Sequence, residues 1–409
     1  MTTVARKSAD VVVIGGGIIG TAIAHFLSRQ KTKVILLEKS GIASGSSGAC
    51  DGAVVMQTKK PGVHLRLALE SHALLSRMQN HLPVPIEYEK NGGLIVFETD
   101  DEKTAMRQFV DAQRQAGLDV ELLDHKQLRA LAPHLSDHLI GATYSPRDSK
   151  INPMALTFGF ALSAKQMGTE ILTGTAVLDI EVEGRQISAV VTSAGKIETH
   201  TVVNATGVYA SEIGRMLDVE IPIKPRRGQL LVTEARPGLL KPWLGSANYI
   251  ASKFNPQLAE EGAGGVSIDQ TQNGNFLIGS TREFVGFDKR TTVEGLKRIA
   301  SRAVRILPDL KHTHLIRAFA GLRPYTPDGL PILGKVEQIN GLIMAAGHEG
   351  DGIALSAITG KLISELVLEG KTDVALDSFN LERFSSETTQ GGPESVEALV
   401  HKKCKSIIC

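Results

Sequence analysis

The amino-acid sequence predicts an α/β protein that opens on a buried parallel sheet, and three observations near its N-terminus carry that prediction. Val11 to Ile14 is a short continuous apolar run, the pattern of a strand covered on both faces. Gly15 to Gly20 follows at once, and Ile18, Ile19, Ala22, Ile23, Phe26 and Leu27 then recur at helical spacing. Lys33 to Glu38 is a second strand that ends on an acid. Strand, glycine turn, helix and strand in that order make a Rossmann-like unit.

The elements that follow are read in order. Gly41 to Gly52 is a loop of small residues, and His64 to Leu82 has helical spacing. Ile86 to Glu98 reads as a hairpin turning at Asn91-Gly92-Gly93. Helices are expected over Asp101–Gly117, Lys126–Leu131 and Asn152–Met167, the last with Pro153 in its first turn. Glu170 to Asn204 alternates β-branched and polar residues and breaks at Glu183-Gly184 and Ala194-Gly195, as an antiparallel meander does. It ends in the buried strand Thr201–Ala205, then Thr206-Gly207. Ile223–Thr233 and Val266–Ser280 read as further strands, the second folded at Asn273-Gly274. Val293–Leu307 is helical, and Gly341–Ala346, Gly347–Gly352 and Ile353–Leu368 repeat the order strand, glycine turn, helix.

Composition narrows the class. With 409 residues the chain has room for two or three domains. Hydrophobic residues at 42% and charged residues at 22% are globular values. A net charge of +1 gives no overall field to recruit nucleic acid. Three cysteines cannot staple so long a chain. No stretch is long and apolar enough for a membrane-spanning helix, and the first apolar run is broken by glycines too soon for a signal peptide, so a cytoplasmic protein is expected. Boundaries are not marked by linkers, which implies two domains through which the chain passes more than once. The tail 385–409 is polar and expected to be partly disordered. Its His401, Cys404 and Cys409 are too sparse for a metal site, and none is expected elsewhere.

Gly15-Gly16-Gly17-Ile18-Ile19-Gly20 fits the dinucleotide fingerprint G-x-G-x-x-G. Gly15 permits the tight turn, Gly17 lets backbone approach a pyrophosphate, and Gly20 lets the helix pack close to the sheet. The phosphates then meet the positive end of the helix. Glu38 is placed to accept hydrogen bonds from an adenosine ribose and to repel a 2′-phosphate. This site alone does not separate NAD from FAD. FAD is favoured because there is one fingerprint only, because the small-residue loop suits a second wrap, and because the chain returns at Gly347–Ile353. A helix N-terminus there would stabilise the negative charge of a reduced flavin.

At these residues the sequence resembles the D-amino-acid-oxidase superfamily of FAD-dependent amine oxidoreductases, over about Ala9 to Phe384. The likeness is to its glycine and sarcosine oxidase branch. Gly347-His348-Glu349-Gly350-Asp351-Gly352-Ile353 looks most like catalytic subunits of multi-subunit proline, hydroxyproline or opine dehydrogenases. Gly321-Leu322-Arg323-Pro324 with Thr326-Pro327-Asp328-Gly329-Leu330-Pro331 is the more specific motif.

The resemblance implies a Rossmann-like FAD-binding domain interwoven with an α+β substrate domain on a mixed, largely antiparallel sheet. The first takes about 1–85, 150–220 and 325–384, the second about 86–149 and 221–324. It also implies that Ile18, Ile19, Glu38 and Lys39 meet adenosine and pyrophosphate. Ser46, Ser47, Asp51, Gly52 and Ala53 form the second flavin loop, Val177 and Gly207 add contacts, and His348, Glu349, Gly350, Asp351, Gly352 and Ile353 turn around the flavin ring. No histidine or cysteine stands in a family position for covalent attachment, so FAD is expected to be non-covalent.

Arg323 matches the residue that holds the substrate carboxylate. It is expected in a turn after the strand Leu315–Gly321, with Asp328 as the partner if its role is structural. His348 is a candidate proton acceptor, although a backbone role in the turn is the better reading. Glu349 and Asp351 read as helix-stabilising acids, Tyr249 and Tyr325 as packing residues with a secondary claim on the pocket, and Arg226-Arg227 as a solvated turn.

The implied activity is oxidation of the C–N bond of an amino or imino acid, by hydride transfer to flavin. The electrons would go to a partner subunit or carrier within a hetero-oligomer. One alternative is an oxidase that uses dioxygen and makes hydrogen peroxide. Another is a non-catalytic flavin electron-transfer subunit, against which Arg323 argues.

Overall fold

The structure, a computed structural model, describes residues 7–254 and 265–385, with the backbone alone at 252–254. The tail with His401, Cys404 and Cys409 therefore lies outside the described residues.

One sheet has six strands in the order Ile332–Lys335, Leu342–Ala346, Val202–Asn204, Val11–Ile14, Val34–Leu37 and Glu170–Leu172. All neighbours are parallel except the first pair. The unbroken apolar runs reflect burial on both faces. Val11 and Val13 pack with Ile23, Leu27 and Ile358 of flanking helices. Val12 and Ile14 face the other way, onto Ile180, Val190 and Ile213. Each such side chain contributes about 1.5–3 kcal/mol.

The helices Ile18–Ser28 and Gly352–Glu369 cross closely at Gly360, where an added Cβ would lie 2.7 Å from Phe26 Cδ2. The meander is a separate sheet, in which Val177–Glu183, Gln186–Thr192 and Gly195–Glu198 are antiparallel and Lys7–Ser8 joins parallel. Its expected first segment, Glu170–Leu172, belongs instead to the parallel sheet.

The second large sheet has eight strands in the order Leu315–Tyr325, Lys224–Ala235, Asn275–Gly279, Ser267–Gln270, Trp243–Ser246, Gly93–Phe97, Gly141–Ser145 and Glu121–Asp124. It is antiparallel except where Trp243–Ser246 meets Gly93–Phe97. The Asn273-Gly274 turn forms as expected, with Gly274 at φ 85°.

The expected hairpin over Ile86–Glu98 does not form. Its first arm, which follows Pro83 and Pro85, forms no strand: Glu89 bridges to Lys150 and Ile86 O accepts from Asn152 N instead. Both edges of Gly93–Phe97 are taken by distant strands. Arg323 is likewise not in a turn: the strand runs through it to Tyr325, opposite Arg226. Pro324 is tolerated because this is an edge strand, and it faces Pro225 across the pair.

Candidate active site

A long cleft opens at the carboxyl ends of four parallel strands, bounded by Ile14, Leu37, Ala205 and Ala346, and runs to the wall of the eight-stranded sheet at Gly228, Ser280 and Arg323. The crevice beyond such strand ends is where α/β sheets bind ligands. It collects Gly15, Gly17, Ile18, Ile19, Glu38, Lys39, Ser46, Ser47, Asp51, Ala53, Val177, Gly207, His348, Glu349, Gly350, Gly352 and Ile353. Gly20, Gly52 and Asp351 do not line it. A Cβ on Gly20 would stand 1.9 Å from Gly15 O, and one on Gly52 2.0 Å from Ile151 O. Both glycines let backbones approach, so they shape the cleft from behind.

The fingerprint turn is held by short local contacts. Gly15 has φ 115°, and a Cβ there would lie 2.5 Å from Ala205 O. Glu38 accepts from Gly16 N at 2.7 Å and from Ser40 N at 2.8 Å, so its carboxylate is pinned beside the turn with lone pairs to spare. Ser47 Oγ accepts from Ile18 N at 2.9 Å, while Ser46 Oγ donates to Leu322 O and ties the loop to the other sheet. Lys39 Nζ sits 3.3 Å over the Tyr209 ring, which stacks on Phe287.

The opposite end is ruled by charge. Arg323 donates from Nη1 to Thr281 O at 3.1 Å and from Nη2 to Ser280 Oγ. Gly228, across the sheet, leaves it room: a Cβ there would fall 2.4 Å from both terminal nitrogens. Burial, then Arg282, lowers the Arg323 pKa. Asp328 is not its partner, because Arg383 holds that acid at 2.8 Å.

Glu349, at φ 51°, is no helix-start acid. Its Oε1 contacts Arg226 Nη2 and lies 3.9 Å from Arg282 Nη1 and 4.0 Å from Arg323 Nε. Arg226 and Arg227 are not a solvated turn either. On a strand they point to opposite faces. Both are buried, and Arg227 finds Glu283 at 3.0 Å and Asp288 at 3.2 Å. Asp351 precedes the last long helix but makes no side-chain cap; it pairs with Lys59 Nζ at 2.8 Å and His64 Nε2 at 3.3 Å.

His348 is buried with Nε2 3.1 Å from Thr359 Oγ1, and burial lowers its pKa to about 3, so the ring is neutral. Burial raises the pKa of Asp51, against the pull of Arg323. Tyr249 lines the cleft, whereas Tyr325 packs under Arg226, 4.7 Å from its Cζ. Sequence reasoning missed Arg282, Lys59 and His64. No spacing signal marks them, since sheet register and loop return bring them in.

The glycine cradle, the helix N-terminus behind it and the pinned Glu38 fit an adenine dinucleotide. The comparisons with known proteins agree. Residues 10–366 match the model of the DAO family, FAD dependent oxidoreductase. The chain is 31% identical to hydrogen cyanide synthase subunit HcnC of Pseudomonas protegens, covering 95% of this chain and 99% of that one. It is 29% identical to glycine oxidase of Geobacillus kaustophilus, covering 91% and 97%. Among solved structures, L-proline dehydrogenase from P. horikoshii superposes with a TM-score of 0.85 at 28% identity, covering 93% of this chain and 99% of that one. The chain belongs to the DAO family of FAD-dependent oxidoreductases.

Proposed function

We propose that the chain oxidises the C–N bond of a small amino or imino acid, of proline, hydroxyproline, glycine, sarcosine or opine type, and passes the electrons to a partner subunit or carrier. The segments of the six-stranded sheet hold a non-covalent FAD in this reading, and those of the eight-stranded sheet roof the substrate.

The observation that carries it is Arg323. Its guanidinium lines the cleft on a side chain 15% exposed, its two hydrogen bonds go to neutral oxygens, and the nearest carboxylate among the described residues stands 4.0 Å away. A planar fork so placed matches one carboxylate. It fixes the Cα that the carboxylate carries, and orientation is the protein's main contribution to such chemistry. His348, whose pKa burial lowers to about 3, is too weak a base to take the proton of the amine. The amine therefore binds unprotonated or loses its proton to water. FAD, when bound, supplies the two-electron acceptor. Ile18, Ile19, Glu38, Lys39, Ser46, Ser47 and Val177 hold its adenosine and pyrophosphate, and the turn His348–Ile353 closes on its ring.

Partner transfer is supported by HcnC, whose name makes it one subunit of a synthase. No described helix is long and apolar enough to cross a membrane. A second reading, an oxidase that passes electrons to dioxygen, is favoured by the likeness to glycine oxidase.

Anaerobic mixing with a panel of amino and imino acids tests the activity by bleaching of the flavin. Reoxidation is expected to be faster with an artificial dye than with air-saturated buffer. Equal rates with stoichiometric peroxide decide for the oxidase.

A further inference from the structure

A second, smaller cavity of about 30 Å3 adjoins the cleft and shares Asp51, Tyr249, Glu349 and Gly350 with it. A water needs roughly 10–15 Å3, so the space admits about two waters or one carboxylate head. Its walls include two buried donors, Arg282 Nε and Trp243 Nε1, neither of which has a hydrogen-bond partner among the described residues. Arg282 is 3% exposed at its side chain. Its Cζ lies 4.7 Å from the Tyr249 ring, and its Nη1 lies 3.9 Å from Glu349, too long for a hydrogen bond.

The acids on the same wall are differently placed. Asp351 is held by Lys59 and His64, Glu349 by Arg226 and the amide of Gly350, and Asp51 by Ser267 Oγ at 3.4 Å. The cavity thus has donors to spare and acids already engaged. A buried orphan donor costs about 1–3 kcal/mol, so an acceptor-bearing occupant is favoured. Charge does not oppose it: Arg282 and Lys59 line the cavity against Glu349 and Asp351, Arg226 and Arg323 reach the same Glu349 from outside it, and burial raises the pKa of Asp51, the third acid on the wall.

We propose that Arg282, with Trp243 Nε1, forms a second carboxylate subsite, so that the substrate class is an amino or imino acid bearing two carboxylates. The proposal rests on the reading of Arg323 as the α-carboxylate anchor. Both arginines lie within 4.0 Å of the same Glu349 oxygen, close enough for one small molecule to span them. Arg323 takes the carboxylate next to the reacting carbon and Arg282 the distal one. A charge-assisted contact of this kind is worth about 1.5–3 kcal/mol, or roughly 10–100-fold in discrimination.

The test compares flavin reduction in the holoenzyme by aspartate, glutamate and N-(carboxymethyl)glycine with that by alanine, proline and sarcosine, both enantiomers where they exist. The ratio of kcat/KM between the two groups is expected to favour dicarboxylates by 10-fold or more. It should collapse towards one in Arg282→Gln and recover in part in Arg282→Lys. A ratio near one in the unaltered enzyme, or one that Arg282→Gln leaves in place, overturns the subsite. A parallel titration reads binding without turnover: malonate and succinate should perturb the flavin absorbance at lower concentration than acetate, and Arg282→Gln should abolish the difference. If no amino acid bleaches the flavin while this difference stands, the oxidation reading fails and the subsite survives. Equal affinity for acetate and the dicarboxylates, with the difference missing from the start, leaves a separately bound small anion or water as the occupant and overturns the proposal.

Discussion

The two ends of the cleft are built on different principles. At the fingerprint end, one N-terminal stretch does most of the work: Gly15 and Gly20 admit backbone, Gly17 leaves room for Ser47 Oγ, and Glu38 and Ser47 satisfy the amides of Gly16 and Ile18. At the arginine end, Arg226, Arg282, Arg323 and Glu349 come from four separate segments and are gathered by charge, with Arg226, Arg282 and Glu349 buried and Arg323 partly exposed on the cleft wall. The first end fails by steric collision, the second by electrostatic imbalance. The two failures should look different on the bench.

The most complete loss of function is expected from Gly20→Ala, because it removes the cofactor site itself. Its Cβ would fall 1.9 Å from Gly15 O, backbone that cannot yield without moving the whole turn. Overpacking of this kind costs about 1–3 kcal/mol or more, and here it displaces the amides that face the cleft. The purified variant should lack FAD, read as loss of absorbance near the flavin band relative to protein. Gly41→Ala is the control, since nothing lies within 4 Å of its added Cβ and it does not line the cleft. If both variants bind FAD equally, the steric account of this end is wrong.

Glu349→Gln should cost about 3–5 kcal/mol of stability, the typical result of removing one partner from a buried ion pair. Arg226 would be left charged at 1% exposure with no acid in contact. Denaturant unfolding of the holoenzyme measures it. A change within about 0.5 kcal/mol, the scale of an ordinary surface substitution, would mean that the arginine end does not depend on its charge balance.

Arg323→Ala is expected to lower flavin reduction by substrate by about 2–5 kcal/mol in kcat/KM while FAD stays bound. Arg323→Lys should restore part only, because an ammonium lacks the fork. Near-normal reduction of the alanine variant would remove Arg323 from the substrate site.

The same contrast explains what could be read from sequence. The fingerprint end was legible because helix and strand periods and the glycine spacing are local. Arg323 was legible through its motif, yet its setting was misread: Pro324 suggested a turn, and only the pairing with Pro225 on an edge strand shows why the strand continues. Arg226-Arg227 looked solvated because adjacent charges usually are. Register places one against Glu349 and the other against Glu283 and Asp288, on opposite faces of the same strand. Arg282 left no trace, since its partners lie on other segments. The strand Gly93–Phe97 was seen but paired wrongly, because its true partner Trp243–Ser246 is about 150 residues away and no local pattern encodes a parallel pairing.

At neutral pH the smallest expected effect concerns His348, which belongs to neither end and sits between them in the turn before Gly352. Burial holds its pKa at about 3, below the ordinary value of 6.5. The unfolded chain therefore binds a proton that the folded chain refuses between those two pH values. By linkage, stability rises as pH climbs from about 3 to 6.5 and is then flat with respect to this group. His348→Gln, which keeps a polar group for Thr359, should flatten that rise without adding a new slope above pH 7. Denaturant midpoints of the holoenzyme from pH 4 to 8 measure it. The same variant separates the titration from catalysis: a neutral histidine that never protonates in the working range cannot set an acid limb near pH 6.5 in flavin reduction. If the unaltered enzyme shows such a limb and His348→Gln removes it, His348 is a working base and its apparent isolation in the fold has been misjudged.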